Sequence, residues 1–514
     1  MQARPELLHA EGADFVMVRR SRAYRPYSQS PPGFRYPKEQ LRLTRGTGVK
    51  TARILWVLAF GLVLLPMLAQ AQGNLFGDRL TTSNLGEQLS AGGEAPALSA
   101  SGRYIAFAST SNNIGQPSNG TLNIYRYDLL CDQYLLGVQT LGTGNSTAPS
   151  ISANGLAIAF DSIANDLVEN VPAGSRDVFY SRAYDLNPSM QAFETYQVSR
   201  GLGGAAANDA SQYASISGDG RFVAFQSFAS NLISGDTNSS PDIFVADASN
   251  LFANPPERVS VGAGGAQING PSRALSPRSI SHDGRFVVFS VDEPVSIDGS
   301  NAGTTENVFV RDRTAGTTRL ISKSTAGVAG GSSSDEAAIS PNGRYVVFRS
   351  FSTNLVASPS GSRIYVRDRQ TNTTTNMPLP ADATTCEDPR ISDAGDIIAQ
   401  CNMNFPSSAQ AFLYKPAGSG AFYRLSSSVT DTNGNGSSGN YSDVSSNGNV
   451  TTFDSAASDL VPNDTNSSLD VFYFIPEPDA ASALLAAIAA LAVTARRRRA
   501  ISSRISACPC SSTA

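Results

Sequence analysis

One eleven-residue unit returns seven times along this chain, and that recurrence restricts the fold more than any other feature. The copies read ALSASGRYIAF (Ala97 to Phe107), SISANGLAIAF (Ser150 to Phe160), SISGDGRFVAF (Ser215 to Phe225), SISHDGRFVVF (Ser279 to Phe289), AISPNGRYVVF (Ala338 to Phe348), RISDAGDIIAQ (Arg390 to Gln400) and DVSSNGNVTTF (Asp443 to Phe453). Their turn glycines, Gly102, Gly155, Gly220, Gly284, Gly343, Gly395 and Gly448, stand about 50 to 65 residues apart. That period suits propeller blades with long loops and argues against helical solenoids.

Each copy reads as a hairpin. Asn-Gly and Asp-Gly between β-rich runs supply the positive φ of a tight turn. The strand that follows is apolar on both faces, as in Phe222-Val223-Ala224-Phe225, so it must be covered twice. A blade lying between two other blades meets that need, whereas a half-exposed sandwich face would alternate with polar residues.

A further strand follows each hairpin: NIYRYD (Asn123 to Asp128), DVFYSR (Asp177 to Arg182), DIFVAD (Asp242 to Asp247), NVFVRD (Asn307 to Asp312), RIYVRD (Arg363 to Asp368), AFLYKP (Ala411 to Pro416) and DVFYF (Asp470 to Phe474). After a turn comes another, seen as TYQVSR (Thr195 to Arg200), ERVSVG (Glu257 to Gly262), TRLISK (Thr318 to Lys323) and YRLSSS (Tyr423 to Ser428). The same pattern, DRLTTS (Asp78 to Ser83), precedes the first hairpin, and nothing like it follows Phe474. The expectation is therefore an all-β, seven-bladed β-propeller of four-stranded antiparallel blades over residues 72–475. Its N-terminal strand would complete the last blade and leave no open edge.

The S-x-[DN]-G-R-[FY]-[VI]-[VA]-F hairpin followed by D-[VI]-F-V-x-D resembles the WD40-like, or TolB-type (PD40), β-propeller repeat of bacterial exported proteins. The resemblance covers nearly all of Asp78 to Phe474. Copies six and seven depart from it, with Asp396 or Asn449 where Arg is common and polar Thr451 and Thr452 in the strand. The only Trp, Trp56, lies outside the repeats, so the Trp-Asp pairs of true WD40 chains are missing.

Both ends carry export signals. Lys50 and Arg53, an apolar run from Ile54 to Leu68, and Ala69-Gln70-Ala71 read as a secretory signal peptide over 49–71, cleaved after the small residues Ala69 and Ala71. Residues 1–48, Arg- and Pro-rich without periodicity, read as a non-structured extension or a mis-assigned start. Past the last strand come Pro476-Glu477-Pro478, sixteen small or apolar residues (Ala480 to Ala495), then Arg496, Arg497, Arg498 and Arg499. Segment 476–499 resembles the PEP-CTERM sorting signal, which implies recognition by an exosortase and a transient membrane anchor. A plain C-terminal transmembrane anchor is the alternative. Residues 500–514 extend beyond the point where such signals stop. The partners so implied are signal peptidase and exosortase, and the location is the Sec route of a Gram-negative-type bacterium: an inner-membrane intermediate, then the cell surface or extracellular matrix.

Between Gln72 and Pro478 there are 23 basic against 38 acidic residues, a net charge of −15. A surface of that sign repels phosphate backbones, which argues against nucleic acid as a partner. Five cysteines are too few for a disulfide framework, but Cys386 and Cys401 flank the turn Asp393-Ala394-Gly395 almost symmetrically, so antiparallel pairing sets them opposite one another as a candidate disulfide. Cys131 is expected to be free.

Two loops are near copies, SGDTNSSPDIF (Ser234 to Phe244) and PNDTNSSLDVF (Pro462 to Phe472). Their Asp236, Asn238, Ser240 and Asp242, and Asp464, Asn466, Ser468 and Asp470, have a spacing that can wrap Ca²⁺, the one cofactor considered. They also suit ordinary turns. Arg103, Arg221, Arg285 and Arg344 recur at one place, which points to a structural ion pair more than to a ligand channel. His282 is the sole His of the repeats and sits at a variable turn position without a nucleophile elbow, so no Ser-His-Asp chemistry is indicated and no catalytic residue is assigned.

The first reading is thus a non-catalytic, surface-sorted propeller acting as a binding scaffold for a polysaccharide or another envelope protein. The alternatives are an exported carbohydrate-active enzyme with acidic residues at the propeller mouth, and a periplasmic TolB-like accessory protein.

Overall fold

The computed structural model describes residues 76–475 apart from 83–86, 117, 139–140, 170, 172–174, 184–192, 252, 274–277, 293–304, 405–407, 418–419 and 431. The expected signal peptide (Ala69, Ala71) and the expected sorting segment (Pro476 to Pro478, Arg496 to Arg499) lie outside the described residues. No helix among the described residues is long and apolar enough to cross a membrane.

Seven separate four-stranded antiparallel sheets follow one another along the chain, as the repeat requires. Blade 1 spans 94–136, blade 2 146–197, blade 3 211–258, blade 4 272–320, blade 5 334–376, blade 6 383–424, and blade 7 joins 438–475 to 76–79. Within each blade the chain runs from the innermost strand outward, so the eleven-residue unit forms the turn between the first and second strands.

The second strands are covered on both sides, and Val223, Ala224 and Phe225 are all fully buried. The closing aromatic of the unit stacks on the residue opposite it in the third strand. Phe160 meets Phe179 at 5.7 Å, Phe225 meets Phe244 at 5.9 Å and Phe453 meets Phe472 at 5.6 Å between ring centroids. Such pairs contribute about 0.5–1.5 kcal/mol beyond their buried area. Blade 6 lacks one, because Gln400 faces Ala411 there.

The inter-strand turns weld neighbouring blades into a closed ring of hydrogen bonds. Ala100 donates to the Ala153 carbonyl, Ala153 to Gly218, Asp219 to His282, His282 to Pro341, Asp393 to Ser446 and Ser446 back to Ala100, at 2.8 to 3.2 Å. The remaining link, Asn342 N–H to the Asp393 carboxylate, is 2.7 Å. The approach is close enough that a Cβ on Gly218 would sit 2.1 Å from the His282 ring. His282 is thereby a packing and ring-closing residue.

Closure follows the expected exchange. Phe76–Arg79 pairs antiparallel with Asp470–Ile475, Arg79 opposite Phe472. The recurrent arginines are structural as well: Arg103, Arg221, Arg285 and Arg344 bind Asp128, Asp247, Asp312 and Asp368 of their own third strands at 2.7 to 2.8 Å. Blade 6 reverses the charges, with Lys415 on Asp396 at 3.3 Å, which explains the departure of Asp396 from the pattern.

Cys386 and Cys401 are directly opposite in blade 6 and are disulfide-bonded. Cys131 is also disulfide-bonded, contrary to the expected free thiol. Symmetry about a hairpin turn reveals only partners within that hairpin.

Candidate functional site

The inner strands surround an axis whose two ends differ. At the hairpin end the hydrogen-bonded turns leave a cavity of only about 30 Å³, lined by Leu98, Ile151, Ile216, Ile280 and Ile339 and crossed by Arg278 of blade 4. Arg278 binds Asp443 of blade 7 at 2.8 Å, and Asp443 also accepts the Leu98 amide of blade 1 at 2.7 Å. One ion pair therefore ties three blades together and seals that end.

The opposite end is carboxylate-rich. Inner strands begin there with a β-bulge that puts non-glycine residues at positive φ: Ala95 (52°), Ala148 (50°), Tyr213 (59°), Glu336 (47°) and Asp388 (51°). Holding such conformations costs about 1–3 kcal/mol each, and the neighbouring blade over-determines them. The bulge amides of Tyr213 and Ala214 in blade 3 donate to Asp161 of blade 2 at 2.8 and 3.1 Å. The Asp388 amide of blade 6 donates to Glu336 of blade 5 at 2.9 Å.

Side chains from five blades converge on this mouth. Burial raises the pKa of the Tyr441 hydroxyl (blade 7), and Asp454, Glu94 (blade 1), Tyr213 (blade 3) and Asp388 (blade 6) push it further. Arg349 of blade 5 is gripped by Asp335 at 2.8 Å, Glu336 at 2.6 Å and Glu387 at 3.2 Å. Burial, reinforced by the Asp388 charge, pushes the Glu336 carboxyl up to about 7.

Asp454 occupies in blade 7 the place of Asp161 in blade 2, but the blade it faces differs. Pro96 stands where blade 3 has Ala214, and proline has no N–H to give. Asp454 Oδ1 accepts the Tyr441 amide at 3.0 Å, and its buried Oδ2 finds no hydrogen-bond partner among the described residues. Burial raises its pKa to about 7, the Tyr441 and Ala95 amides oppose the shift, and Glu94 adds to it. Asp161, with both amides, is raised by burial to about 6.

The rim of the mouth was not read from the sequence, though a repeat marks it. Segments running Ser162 to Leu167, Ser227 to Leu232, Ser350 to Leu355 and Ser455 to Leu460 share S-x-[AS]-x-[ND]-L. Each serine hydroxyl accepts the amide two residues on, at 3.0 to 3.1 Å, and turns the chain at the end of the second strand. The residue just after the serine projects outward, leaving Ile163, Phe228 and Phe351 exposed.

The loops expected to wrap calcium are organised otherwise. In blade 3, Asp236 and Asp242 face Arg258 at 3.5 and 3.4 Å and accept from Gln267 Nε2 at 2.8 and 3.3 Å. In blade 7, Asp464 and Asp470 face Arg79 at 3.6 Å each and accept from Gln88 at 2.6 and 3.1 Å. Asn238 and Asn466 turn their amide nitrogens to the carbonyls of Ile268 and Leu89. A guanidinium is thus the cation these carboxylates surround, and the donors are nitrogens where calcium would require oxygens. No group of three or more His, Cys, Asp or Glu side chains among the described residues is arranged to hold a metal.

No protein-family model matches the chain, and no curated protein matches it. Among solved structures, an oligogalacturonate lyase in complex with manganese aligns over 79% of this chain and 95% of its own at 13% identity, TM-score 0.48. The oligogalacturonate lyase of Vibrio parahaemolyticus aligns over 79% of this chain and 99% of its own at 13% identity, TM-score 0.46. A putative TolB from Agrobacterium tumefaciens aligns over 67% of this chain and 94% of its own at 11% identity, TM-score 0.34. At these levels no residue role or activity passes from them to this chain.

Proposed function

We propose that the propeller is an exported interaction scaffold of the cell envelope or extracellular matrix, and that its axial mouth takes a neutral polysaccharide. The observation that carries this reading is the convergence of carboxyl and tyrosine groups from five blades at the end of the axis opposite the Arg278–Asp443 pair. A carboxyl with a pKa near 7 is half protonated at neutral pH, so Glu336 both donates to and accepts from sugar hydroxyls. Tyr213, Tyr441, Phe228 and Phe351 supply rings for a sugar face, and the surplus of carboxylates repels anionic polymers. Calorimetric titration of the purified propeller with neutral exopolysaccharide fragments tests the assignment. Tyr441→Ala and Glu336→Gln should each weaken binding about tenfold; affinity unchanged in both would remove the mouth as the site.

A second reading rests on the same elevated carboxyls, since a general acid needs to hold its proton near neutral pH. Release of reducing ends from the bound glycan, lost in Glu336→Gln, would make the protein a carbohydrate-active enzyme; binding without turnover leaves it a scaffold. A periplasmic accessory role of TolB kind would go with a tail that is never removed.

Export is supported by chemistry independent of the termini, because the Cys386–Cys401 disulfide suits an oxidising compartment. Signal peptidase would act after Ala71 and an exosortase near Pro476 to Pro478. Cell fractionation should find the protein, trimmed at both ends, at the surface, and should find it retained in the inner membrane of an exosortase-deficient strain. Deletion of Pro476 to Arg499 should release it into the periplasm, and surface display of that deletion would count against the sorting role.

A further inference from the structure

The repeat allows the outer seams between blades to be compared as internal controls. At the seam of blades 3 and 4, Arg313 lies over the Phe222 ring at 4.4 Å, donates to the Gly284 carbonyl at 2.7 Å and pairs with Glu257 at 2.8 Å. At the seam of blades 4 and 5, Arg369 repeats the first two contacts, over Phe286 at 3.8 Å and onto the Gly343 carbonyl. The third is replaced by its opposite. Arg319 pairs with Val310 as Glu257 pairs with Val245, so a guanidinium stands where the other seam has its carboxylate. Three residues past the strand the same substitution logic adds Lys323, whose bridge to Ala329 matches that of Val261 to Gln267.

The result is a cavity of about 210 Å³ lined by Arg319, Lys323, Arg367 and Arg369, with Asp312 its one carboxylate. Asp312 is already taken by Arg285 at 2.9 and 2.7 Å. Arg319, Arg367 and Arg369 form no ion pair among the described residues. Arg367 is 4% exposed, and its hydrogen-bond partners among the described residues are neutral: the Ser324 carbonyl at 3.3 Å and the Thr374 hydroxyl at 2.9 Å. Burial lowers the pKa of Arg369, and the charges of Arg285 and Arg319 lower it further against the pull of Asp312. Three guanidiniums gathered without an ion pair among the described residues, the nearby Asp312 and Asp368 being held by Arg285 and Arg344, are relieved by a bound anion.

We propose that the seam between blades 4 and 5 is a binding site for a compact tetrahedral oxyanion, a sulfate or phosphate group, held by Arg319, Arg367, Arg369 and Lys323. Planar guanidinium forks suit such an oxyanion better than they suit chloride. The site lies on the outer rim and does not rest on the reading of the axial mouth.

Thermal melting of the whole protein in sodium sulfate, sodium phosphate and sodium chloride at matched ionic strength tests the site. Sulfate or phosphate should raise the melting temperature saturably, and chloride should not. Arg319→Glu recreates the pair seen at the other seam, so it should raise the melting temperature in the absence of oxyanion and weaken sulfate binding at least tenfold. Arg319→Gln should weaken binding without giving Arg369 a carboxylate partner. Dextran sulfate compared with dextran separates a polymer-borne group from the free ion: saturable binding of either the polymer or the ion, lost in Arg319→Glu, supports the site. Equal effects of sulfate and chloride together with no preference for dextran sulfate would overturn it, as would an Arg319→Glu protein that binds as the parent does.

Discussion

A chain beginning at Ser83 should fail to form a stable monomer, and Arg79→Ala should loosen the closure without touching any other blade. Removal of Phe76–Arg79 strips blade 7 of its fourth strand and leaves Asp470–Ile475, paired on that side in the intact ring, as an exposed edge. The subtler variant has a matched control, because Arg79 and Arg258 face equivalent aspartate pairs. Each side chain is about a tenth exposed, and removal of one partner from a buried pair costs about 3–5 kcal/mol. Thr81 and Ser260 likewise donate to Asp470 and Asp242 in the two blades. The difference is connectivity. Arg258 follows its own third strand after the 248–256 loop, whereas Arg79 reaches Asp470 from the far end of the chain. Both variants should therefore melt at lower temperature, but only Arg79→Ala should expose the N-terminal strand to protease under native conditions. Mass spectrometry of the first cleavage products checks this; identical cleavage patterns in the two variants would mean that the terminal strand does not fasten the ring.

What the sequence made legible follows from how local each feature is. Turn glycines, doubly apolar second strands and the displaced DRLTTS strand are each written within a few consecutive residues, and together they specified seven blades and their closure. The outer strands of blades 1 and 5, Gln133–Leu136 and Thr373–Asn376, carry no pattern of their own and are set by the third strands they pair with. The mouth was less visible. Its carboxylates come from blades 1, 5, 6 and 7, separated by tens to hundreds of residues, and only ring closure gathers them. The aspartates of the two near-identical loops were legible as a pair of sites, but the Arg and Gln that occupy them lie on other strands, so spacing alone suggested a metal. The seam of blades 4 and 5 was hidden for a related reason: Arg319 is unremarkable until aligned against Glu257 at the equivalent seam.

Stability should peak between about pH 4 and 6, and replacing Asp454 by Asn should remove its share of the loss above pH 6, leaving the shares of Glu336 and Asp161. Burial raises Asp454 from 3.8 and Glu336 from 4.5 to about 7 each in the folded protein. A carboxyl raised on folding binds its proton more tightly in the native state, so its contribution is complete below the unfolded value near 4 and is lost as pH climbs through 7. For the nearly fully buried Asp454, three units correspond to about 4 kcal/mol at most, since one unit is about 1.4 kcal/mol. The rim pairs act in the reverse sense. The Arg344 hydrogen bond lowers Asp368 to about 2, and Asp247 and Asp312 are lowered by Arg221 and Arg285. Their support is present above the unfolded pKa and is lost as pH falls through the folded one, which brings the acid limb of the profile below about pH 4. The two limbs belong to different ends of the molecule, and one substitution separates them. Asp454→Asn keeps an acceptor for the Tyr441 amide and removes the buried charge, so it should make the limb between pH 5 and 8 shallower, Glu336 and Asp161 carrying what remains, while leaving the acid limb where it was. Chemical denaturation from pH 3 to 9 reads both limbs; an Asn variant that still loses stability above pH 6 as steeply as the parent would show that the orphaned Oδ2 beside Pro96 is not where the charge is strained.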